Sequence, residues 1–144
     1  MSEAAELIRE LRLQRHPEGG WYRETWRAES DPGERGAATA ILFLLEEGQR
    51  SHWHKVDASE IWLFHSGSAL RLSSAADEDG PVNEVRLGAD VMAGEQVQWR
   101  IEPGEWQSAE ADRGWALVSC IVSPAFEFSG FTLAPPGWTP GGAA

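Results

Sequence analysis

Gly- and Pro-containing breaks divide most of this chain into short segments, and this division limits the possible folds more than any other feature. The segments are apolar or alternate apolar with polar residues, as strands do, and we predict strands at residues 21–26, 40–45, 60–65, 69–74, 82–87, 97–101 and 116–122. The breaks between them contain Gly67, Asp79-Gly80-Pro81, Gly88, Gly94 and Pro103-Gly104. Short strands at this spacing favour a β-sandwich or a small barrel over a helix bundle.

The N-terminal residues differ, because they have the period of an amphipathic helix. Within residues 3–14, one apolar stripe consists of Ala4, Leu7, Ile8 and Leu11. Ser2 is a suitable N-cap, and His16-Pro17 is expected to end the helix because the residue before a proline avoids the α region. Since the sequence contains neither a linker nor a repeat, we predict a single all-β domain over residues 1–144 with one N-terminal helix.

The chain is strongly acidic, with 23 acidic and 12 basic residues and a formal net charge of -11. An acidic excess of this size repels nucleic-acid phosphates and anionic lipid, so we expect neither a nucleic acid nor a membrane as a partner. The single cysteine, Cys120, cannot form an intrachain disulfide. No apolar run approaches the ~18 residues of a membrane span, and the N-terminus is too charged for a signal peptide. These features together predict a cytoplasmic protein.

A candidate site begins with the His-x-His pair that His52 and His54 form. Alternate side chains of an extended strand share a face, so both imidazoles are predicted to point the same way. Glu60 opens the next predicted strand, and a hairpin would bring its carboxylate beside the two imidazoles. Two imidazoles and one carboxylate form a ligand set suited to a divalent first-row metal.

The order of these residues resembles the first motif of the cupin superfamily, which runs Gly, His-x-His, Glu, Gly. The corresponding residues here are Gly48, His52, His54, Glu60 and Gly67. The second cupin motif is represented by Gly94, Pro103 and Gly104, followed by Gln107 where the family has a histidine. The resemblance implies a double-stranded β-helix (the cupin jelly-roll barrel) and one divalent metal ion, Mn, Fe, Ni or Zn, with no other cofactor. The implied ligands are His52, His54, Glu60 and Gln107.

More narrowly, the chain is similar to a family of small single-domain, RmlC-like cupins whose function is largely unknown. The stretches that carry this similarity are residues 16–25, 51–57, 60–62, 103–107 and 118–126. They span nearly the whole chain. Cupins of this size commonly form homodimers, and we expect a homodimer whose contact includes residues 40–45 and the N-terminal strand.

Strand alternation sorts the neighbours of the predicted ligands. If Glu60 faces the barrel interior, Trp62 and Phe64 do so as well, while His65 faces the other side. Trp106 precedes Gln107 directly, and Tyr22 follows the Gly19-Gly20 turn. Aromatic walls with a few polar groups are typical of a small-molecule pocket. We therefore predict that the substrate is bound by Trp62, Trp106, Tyr22 and Phe64.

Three functions fit this site. The first is an isomerase or epimerase acting on a small sugar-like or carbonyl compound, with His54 or Glu60 as the general base and a metal that polarises the carbonyl. The second is a binding or sensing module without turnover, and the third is a metal-dependent dioxygenase. A sugar-nucleotide epimerase is disfavoured, because the sequence indicates neither an interior His–Asp pair nor the clustered interior cations that a diphosphate needs.

Overall fold

The computed structural model of the protein describes residues 2–142, and within them it contains one α-helix and two antiparallel sheets. Helix α1 (Glu3–Glu10) is followed by strands β1 (Gln14–Arg15), β2 (Trp21–Arg27), β3 (Thr39–Leu45), β4 (Arg50–Val56), β5 (Ser59–Gly67), β6 (Leu70–Ala75), β7 (Asn83–Leu87), β8 (Gln98–Ile101), β9 (Trp106–Glu110), β10 (Ala116–Ser123) and β11 (Phe131–Leu133). One sheet has the order β1-β2-β3-β10-β5-β8 and the other β11-β4-β9-β6-β7. This arrangement confirms the predicted jelly roll with one N-terminal helix.

The helix is shorter than predicted, because it ends at Glu10 and not at residue 14. Leu11 is the C-cap, and Arg12 has a φ of 56°, which turns the chain out of the helix. Gln14 and Arg15 then pair with Tyr22 and Trp21 of β2. Backbone groups of residues 14 and 15 therefore form hydrogen bonds with β2, in place of the helical hydrogen bonds that the predicted longer helix would have given this segment. Ser2 is the N-cap as predicted, since its Oγ accepts a hydrogen bond from the Ala5 N–H at 3.1 Å.

The helix covers one part of the outer face of the six-stranded sheet. Its apolar stripe packs in a cluster that includes Ala4, Leu13, Leu44 and Leu117. The seven predicted strands agree with β2, β3, β5, β6, β7, β8 and β10 to within a few residues. Strand β4 was expected only as an extended segment around His52 and His54, and strands β1, β9 and β11 were not predicted. They are short or lie beside turns, where hydrophobic periodicity carries little information.

The two sheets enclose a core at one end and a cavity at the other, and the same strands supply both. In β3, Phe43 and Leu45 are core residues while Thr39 and Ile41 line the cavity. In β5, Trp62 is buried in the core and Glu60 lines the cavity. In these two strands, the interior-facing side therefore ends in a polar residue at the cavity end of the barrel, Thr39 in β3 and Glu60 in β5.

Three arginines of the strands form ion pairs with carboxylates and do not enter the cavity: Arg71 with Glu110, Arg86 with Asp112, and Arg100 with Glu102. Within residues 2–142, no helix is both long enough and apolar enough to cross a membrane.

Candidate active site

A cavity of about 330 Å³ opens at one end of the barrel, and its inner part is polar. The polar groups there are the side chains of His16, Glu18, His54 and Glu60. All four are buried, with 9% of their surface exposed at most. Tyr22, Ile41 and Val56 form part of the walls, and phenylalanines line the mouth. Buried titratable groups that meet in a cleft are candidates for catalysis.

A glycine turn places Glu18 in this cavity. Gly19 has a φ of 109°, and a Cβ atom built on it would lie 2.1 Å from the carbonyl oxygen of Arg50. The turn can therefore pack directly on β4 only because residue 19 has no side chain. The carbonyl of Glu18 also accepts a hydrogen bond from the His52 N–H at 2.7 Å. Backbone contacts on both sides thus direct the Glu18 side chain towards the interior.

The carboxyl group of Glu18 forms a pair with His54. Oε2 of Glu18 lies 3.1 Å from Nε2 of His54 and accepts a hydrogen bond from the Ser51 hydroxyl. Nδ1 of His54 lies 2.7 Å from the carbonyl oxygen of His52. A carbonyl can only accept, so Nδ1 carries the hydrogen and the unprotonated Nε2 faces the carboxyl group.

Burial determines which member of this pair holds the proton. It raises the pKa of Glu18 to about 8, and it lowers the pKa of His54 below its usual value. A charge-separated pair would cost desolvation energy on both sides, because both groups are buried. The pair is therefore neutral near pH 7, with one proton held by Glu18 and directed at His54.

His16 lies on the other side of the same carboxyl group. Its Nδ1 accepts a hydrogen bond from the Glu18 N–H at 3.1 Å and lies 3.3 Å from Oε1 of Glu18. Burial lowers the pKa of His16 to about 4, so this ring is neutral as well. Its edge packs on the ring of Tyr22, with the ring centres 4.5 Å apart. Two neutral imidazoles thus flank the Glu18 carboxyl group, and that of His54 accepts its proton in a hydrogen bond.

A second hydrogen-bonded chain fixes Glu60. The indole N–H of Trp62 donates to Oε1 of Gln107 at 2.8 Å, and Nε2 of Gln107 donates to Oε1 of Glu60 at 2.8 Å. Because an indole can only donate, the amide of Gln107 has a single satisfactory orientation. Burial raises the pKa of Glu60, while His54 and Gln107 oppose that rise. The thiol of Cys120 also contacts Glu60, and burial raises the pKa of this thiol.

The shared strand face predicted for His52 and His54 is not observed. Strand β4 contains a β-bulge against β9, where Ser51 pairs with Ala109 and His54 pairs with Gln107. The bulge adds one residue on β4, so the alternation between Ser51 and His54 is broken. Ser51 and His54 both contact Glu18, whereas Nε2 of His52 bonds to the carbonyl oxygen of Pro135 at 3.0 Å.

The four implied metal ligands therefore do not form a ligand set. The amide oxygen of Gln107 accepts from Trp62, Nε2 of His54 faces the Glu18 carboxyl group, and His52 bonds to the C-terminal segment. In the described part of the chain, no three His, Cys, Asp or Glu side chains are placed to hold a metal ion together. The ligand atoms of these three side chains are committed to hydrogen bonds within the protein, and Oε1 of Glu60 accepts from Gln107, so this arrangement does not fit a metal.

Of the predicted substrate-binding residues, Tyr22 lines the cavity. Trp62 and Phe64 belong to the core beside it. Trp106 lies outside the barrel and packs on Trp138, with ring centres 4.5 Å apart. The physical reason is alternation, because Gln107 points inward and its neighbour must point outward. Neither Glu18 nor His16 was predicted as a site residue, although both lie in the first of the family-like stretches, because Pro17 between them indicated only the end of a helix.

A family model described as the cupin superfamily (DUF985) matches residues 5–134 of this chain. This chain belongs to that cupin family. The cupin is 26% identical over 154 aligned residues to a Saccharomyces cerevisiae protein described as the uncharacterized protein YML079W. That alignment covers 92% of this chain and 75% of the yeast protein.

Two solved structures resemble this cupin over nearly their full length. Protein SO0799 from Shewanella oneidensis is 37% identical with a TM-score of 0.84, and the match covers 93% of this chain and 85% of that one. A hypothetical protein from Leishmania major is 30% identical with a TM-score of 0.83, covering 95% and 90%. Oxalate decarboxylase from Bacillus subtilis, at 18% identity and a TM-score of 0.64, covers 83% of this cupin and 29% of that chain. The last likeness shows the fold alone.

Proposed function

We propose that this cupin binds a small uncharged molecule with hydroxyl and carbonyl groups and moves a proton on it, as an isomerase or epimerase does, without a metal. The observation that carries the proposal is the pair of buried carboxyl groups in one cavity, Glu18 and Glu60, each with different partners. Carboxyl groups in different environments are the usual way to obtain an acid and a base in one site.

Glu18 is the proposed acid. It holds its proton at neutral pH because burial raises its pKa to about 8. Both ring nitrogens of His54 are engaged by protein groups, so His54 acts on the ligand through Glu18 and not directly. It is a positioning residue, because its unprotonated Nε2 accepts the hydrogen bond of the protonated Glu18 carboxyl group. This role replaces the direct general-base role expected for His54 from the sequence.

Glu60 is the proposed base, in agreement with the prediction from the sequence. The Gln107 amide donates to its Oε1 and stabilises the carboxylate form. In the proposed step, Glu60 takes the proton from a carbon next to the carbonyl, and the electron pair of the broken C–H bond moves into an enolate. Glu18 donates its proton to the enolate oxygen. Glu60 then returns its proton to the other carbon while the Glu18 carboxylate takes a proton from the neighbouring hydroxyl group, which completes an isomerisation. Return of the proton to the other face of the same carbon, with Glu18 taking back the enol proton, completes an epimerisation.

The metal-dependent dioxygenase is not supported, because it needs a set of metal ligands. The side chains implied as those ligands are hydrogen-bonded to other side chains and to the backbone. A binding or sensing module remains the alternative function, since the same cavity can also bind a ligand that undergoes no reaction. Exchange of a carbon-bound hydrogen of the ligand for deuterium distinguishes the isomerase or epimerase from the binding module, because only a catalytic site removes a proton from carbon.

The test is incubation of the chelator-treated protein with small α-hydroxy ketones and aldehydes in D₂O, followed by NMR. We expect deuterium to enter at the carbon next to the carbonyl. Glu60→Gln should lose this exchange by roughly 10²-fold or more, as expected for removal of a general base. Glu102→Gln, a matched change at an exposed residue that pairs with Arg100, should retain it. Binding without exchange would favour the binding module, and exchange only after addition of a divalent metal would contradict the metal-free mechanism.

A further inference from the structure

Three phenylalanines form an aromatic patch at the mouth of the cavity. The ring of Phe126 lies 4.9 Å from that of Phe128 and 5.8 Å from that of Phe131, and the rings of Phe128 and Phe131 are 6.0 Å apart. All three line the cavity, and 57% of Phe128 is exposed. Isolated exposed aromatics are common, but three that contact one another at the entrance of a cavity form a surface on which a flat apolar group can bury area.

Phe131 connects this patch with the polar inner end. Its ring lies 5.5 Å from the ring of His54 and 6.2 Å from that of His16. A ligand that extends from the inner end to the mouth therefore meets the acid and imidazole groups first and an unbroken aromatic surface next.

The cavity offers no free cation to an anionic ligand. Among the residues described, Arg27 is the only Lys or Arg that lines it. The Arg27 guanidinium is already bonded to both carboxylate oxygens of Glu24, at 2.7 and 3.2 Å, and to the Phe126 carbonyl at 3.0 Å. Three carboxyl groups, those of Glu18, Glu24 and Glu60, also line the cavity. A carboxylate or phosphate ligand would meet acidic groups without a compensating partner.

The size of the cavity limits the ligand further. At about 330 Å³ it lies at the lower end of the ~300–1,000 Å³ typical of small-molecule sites. The space suits a compact molecule with one ring or a few small groups. The acidic lining and the volume together disfavour nucleotides and sugar nucleotides.

We propose that the ligand of this cavity is an uncharged molecule with two unlike ends, a hydroxyl- or carbonyl-bearing head at Glu18 and Glu60 and a flat apolar group, such as an aryl ring, against Phe126, Phe128 and Phe131. The position of the head rests on the proposed function. The apolar end and the absence of charge rest on the phenylalanine patch and on the Glu24–Arg27 pair.

Three related probes test the proposal by ligand-observed NMR titration at millimolar concentrations. Mandelamide is uncharged and has a hydroxyl group, a carbonyl group and an aryl ring; mandelate carries a negative charge in place of the amide; lactamide lacks the ring. We expect mandelamide to bind at least about tenfold more tightly than either of the others, a factor equal to about 1.4 kcal/mol. Equal or tighter binding of mandelate or lactamide, or no binding of mandelamide, would overturn the proposal.

A pair of variants locates the apolar end. Phe128→Ala should reduce the preference for mandelamide over lactamide several-fold and leave lactamide unchanged. Trp26→Ala removes another exposed aromatic, 53% exposed and outside the cavity lining, and should leave both affinities unchanged. An unchanged preference in Phe128→Ala would also overturn the proposal. The result is independent of the exchange experiment. A preference for the aryl compound without deuterium exchange would contradict only the catalytic proposal. Deuterium exchange without that preference would contradict only the proposed two-ended ligand.

Discussion

At the scale of single residues, the site depends on buried polar groups whose protonation is set by their surroundings. The pKa of Glu18 is raised to about 8, so the folded state holds a proton that the unfolded state, with the usual value of 4.5, releases earlier. The contribution of Glu18 to stability is complete below pH 4.5 and is lost as the pH rises to about 8. The pKa of His16 is lowered from 6.5 to about 4, so the contribution of His16 to stability is complete above pH 6.5 and is lost as the pH falls to about 4.

Between pH 6.5 and 8 the effect of His16 has ended, whereas the raised pKa values of Glu18 and Glu60 both lower stability as the pH rises. The free energy of unfolding should therefore fall with rising pH, by at most about 1.4 kcal/mol per pH unit for one proton. Glu18→Gln, which cannot ionise, should show a weaker fall over the same interval. Urea denaturation at several pH values measures both slopes. A wild-type slope equal to that of the variant would show that Glu18 is not protonated in the folded protein.

The Trp62–Gln107–Glu60 chain makes a second prediction. Trp62→Phe removes the indole N–H and leaves the buried Oε1 of Gln107 without its donor. An unsatisfied buried acceptor costs about 1–3 kcal/mol of unfolding free energy. Trp99→Phe is the matched control, because Trp99 is 37% exposed. Chemical denaturation should show a clearly larger loss for Trp62→Phe, and equal losses would contradict the assigned hydrogen bond.

At the scale of elements, one turn and one bulge build the acid pair. The Gly19 turn brings Glu18 onto β4, and the bulge in β4 lets Ser51 and His54 face the same carboxyl group. Neither feature is a strand or a helix, and each breaks the alternation that an ideal strand would have. The site is therefore located where the regular geometry of the barrel is interrupted, as is common for β-bulges.

Gly19→Ala tests the turn, with Gly33→Ala as its control. Both glycines have a positive φ, of 109° and 81°, so both substitutions carry a backbone cost. A Cβ at residue 19 would lie 2.1 Å from the Arg50 carbonyl oxygen, whereas a Cβ at residue 33 meets nothing within 4 Å. We expect Gly19→Ala to lower the melting temperature more and to weaken mandelamide binding, because the turn must move away from β4. Similar melting temperatures for the two variants would refute this account.

At the scale of the whole molecule, three aliphatic side chains lie side by side on the outer face of the six-stranded sheet, outside the cluster that packs on α1. Ile61 pairs with Ile121, and Ile121 pairs with Ala40, so the three share a face. They lie opposite the cavity side, since Glu60 and Trp62 point inward. All three are half-buried in the single chain. We propose that a second copy of this chain covers this face, in line with the homodimer expected from the sequence.

Sedimentation velocity at micromolar concentration tests the homodimer. The protein should sediment as a dimer, and Ile61→Glu should shift it to a monomer, because a charge in a desolvated contact lacks a partner. Val91→Glu is the control, since Val91 is 57% exposed on a different part of the surface, and it should remain dimeric. A monomeric wild-type protein would refute the proposal, as would an Ile61→Glu variant that stays dimeric while its circular dichroism is unchanged.

The sequence by itself determined the fold class and much of the barrel interior. Gly and Pro breaks separate segments with strand-like patterns, and such local patterns are readable because turns and strands depend on residues close in the chain. The motif order placed Glu60, His54 and Gln107 in one interior, and the structure joins Gln107 to Glu60 by a hydrogen bond and pairs Gln107 with His54 across β4 and β9.

Only the tertiary structure decided how these side chains are used. Glu18 and His54 are separated by 36 positions in sequence and meet because a turn packs on a bulged strand, which alternation along either segment does not reveal. The bulge also turns His52 away from the cavity, and alternation across β9 sends Trp106 to the outside. Hydrogen-bond partners, and therefore the choice between a metal ligand and a proton-holding group, depend on contacts between distant segments. Such contacts arise only when the two sheets close on each other.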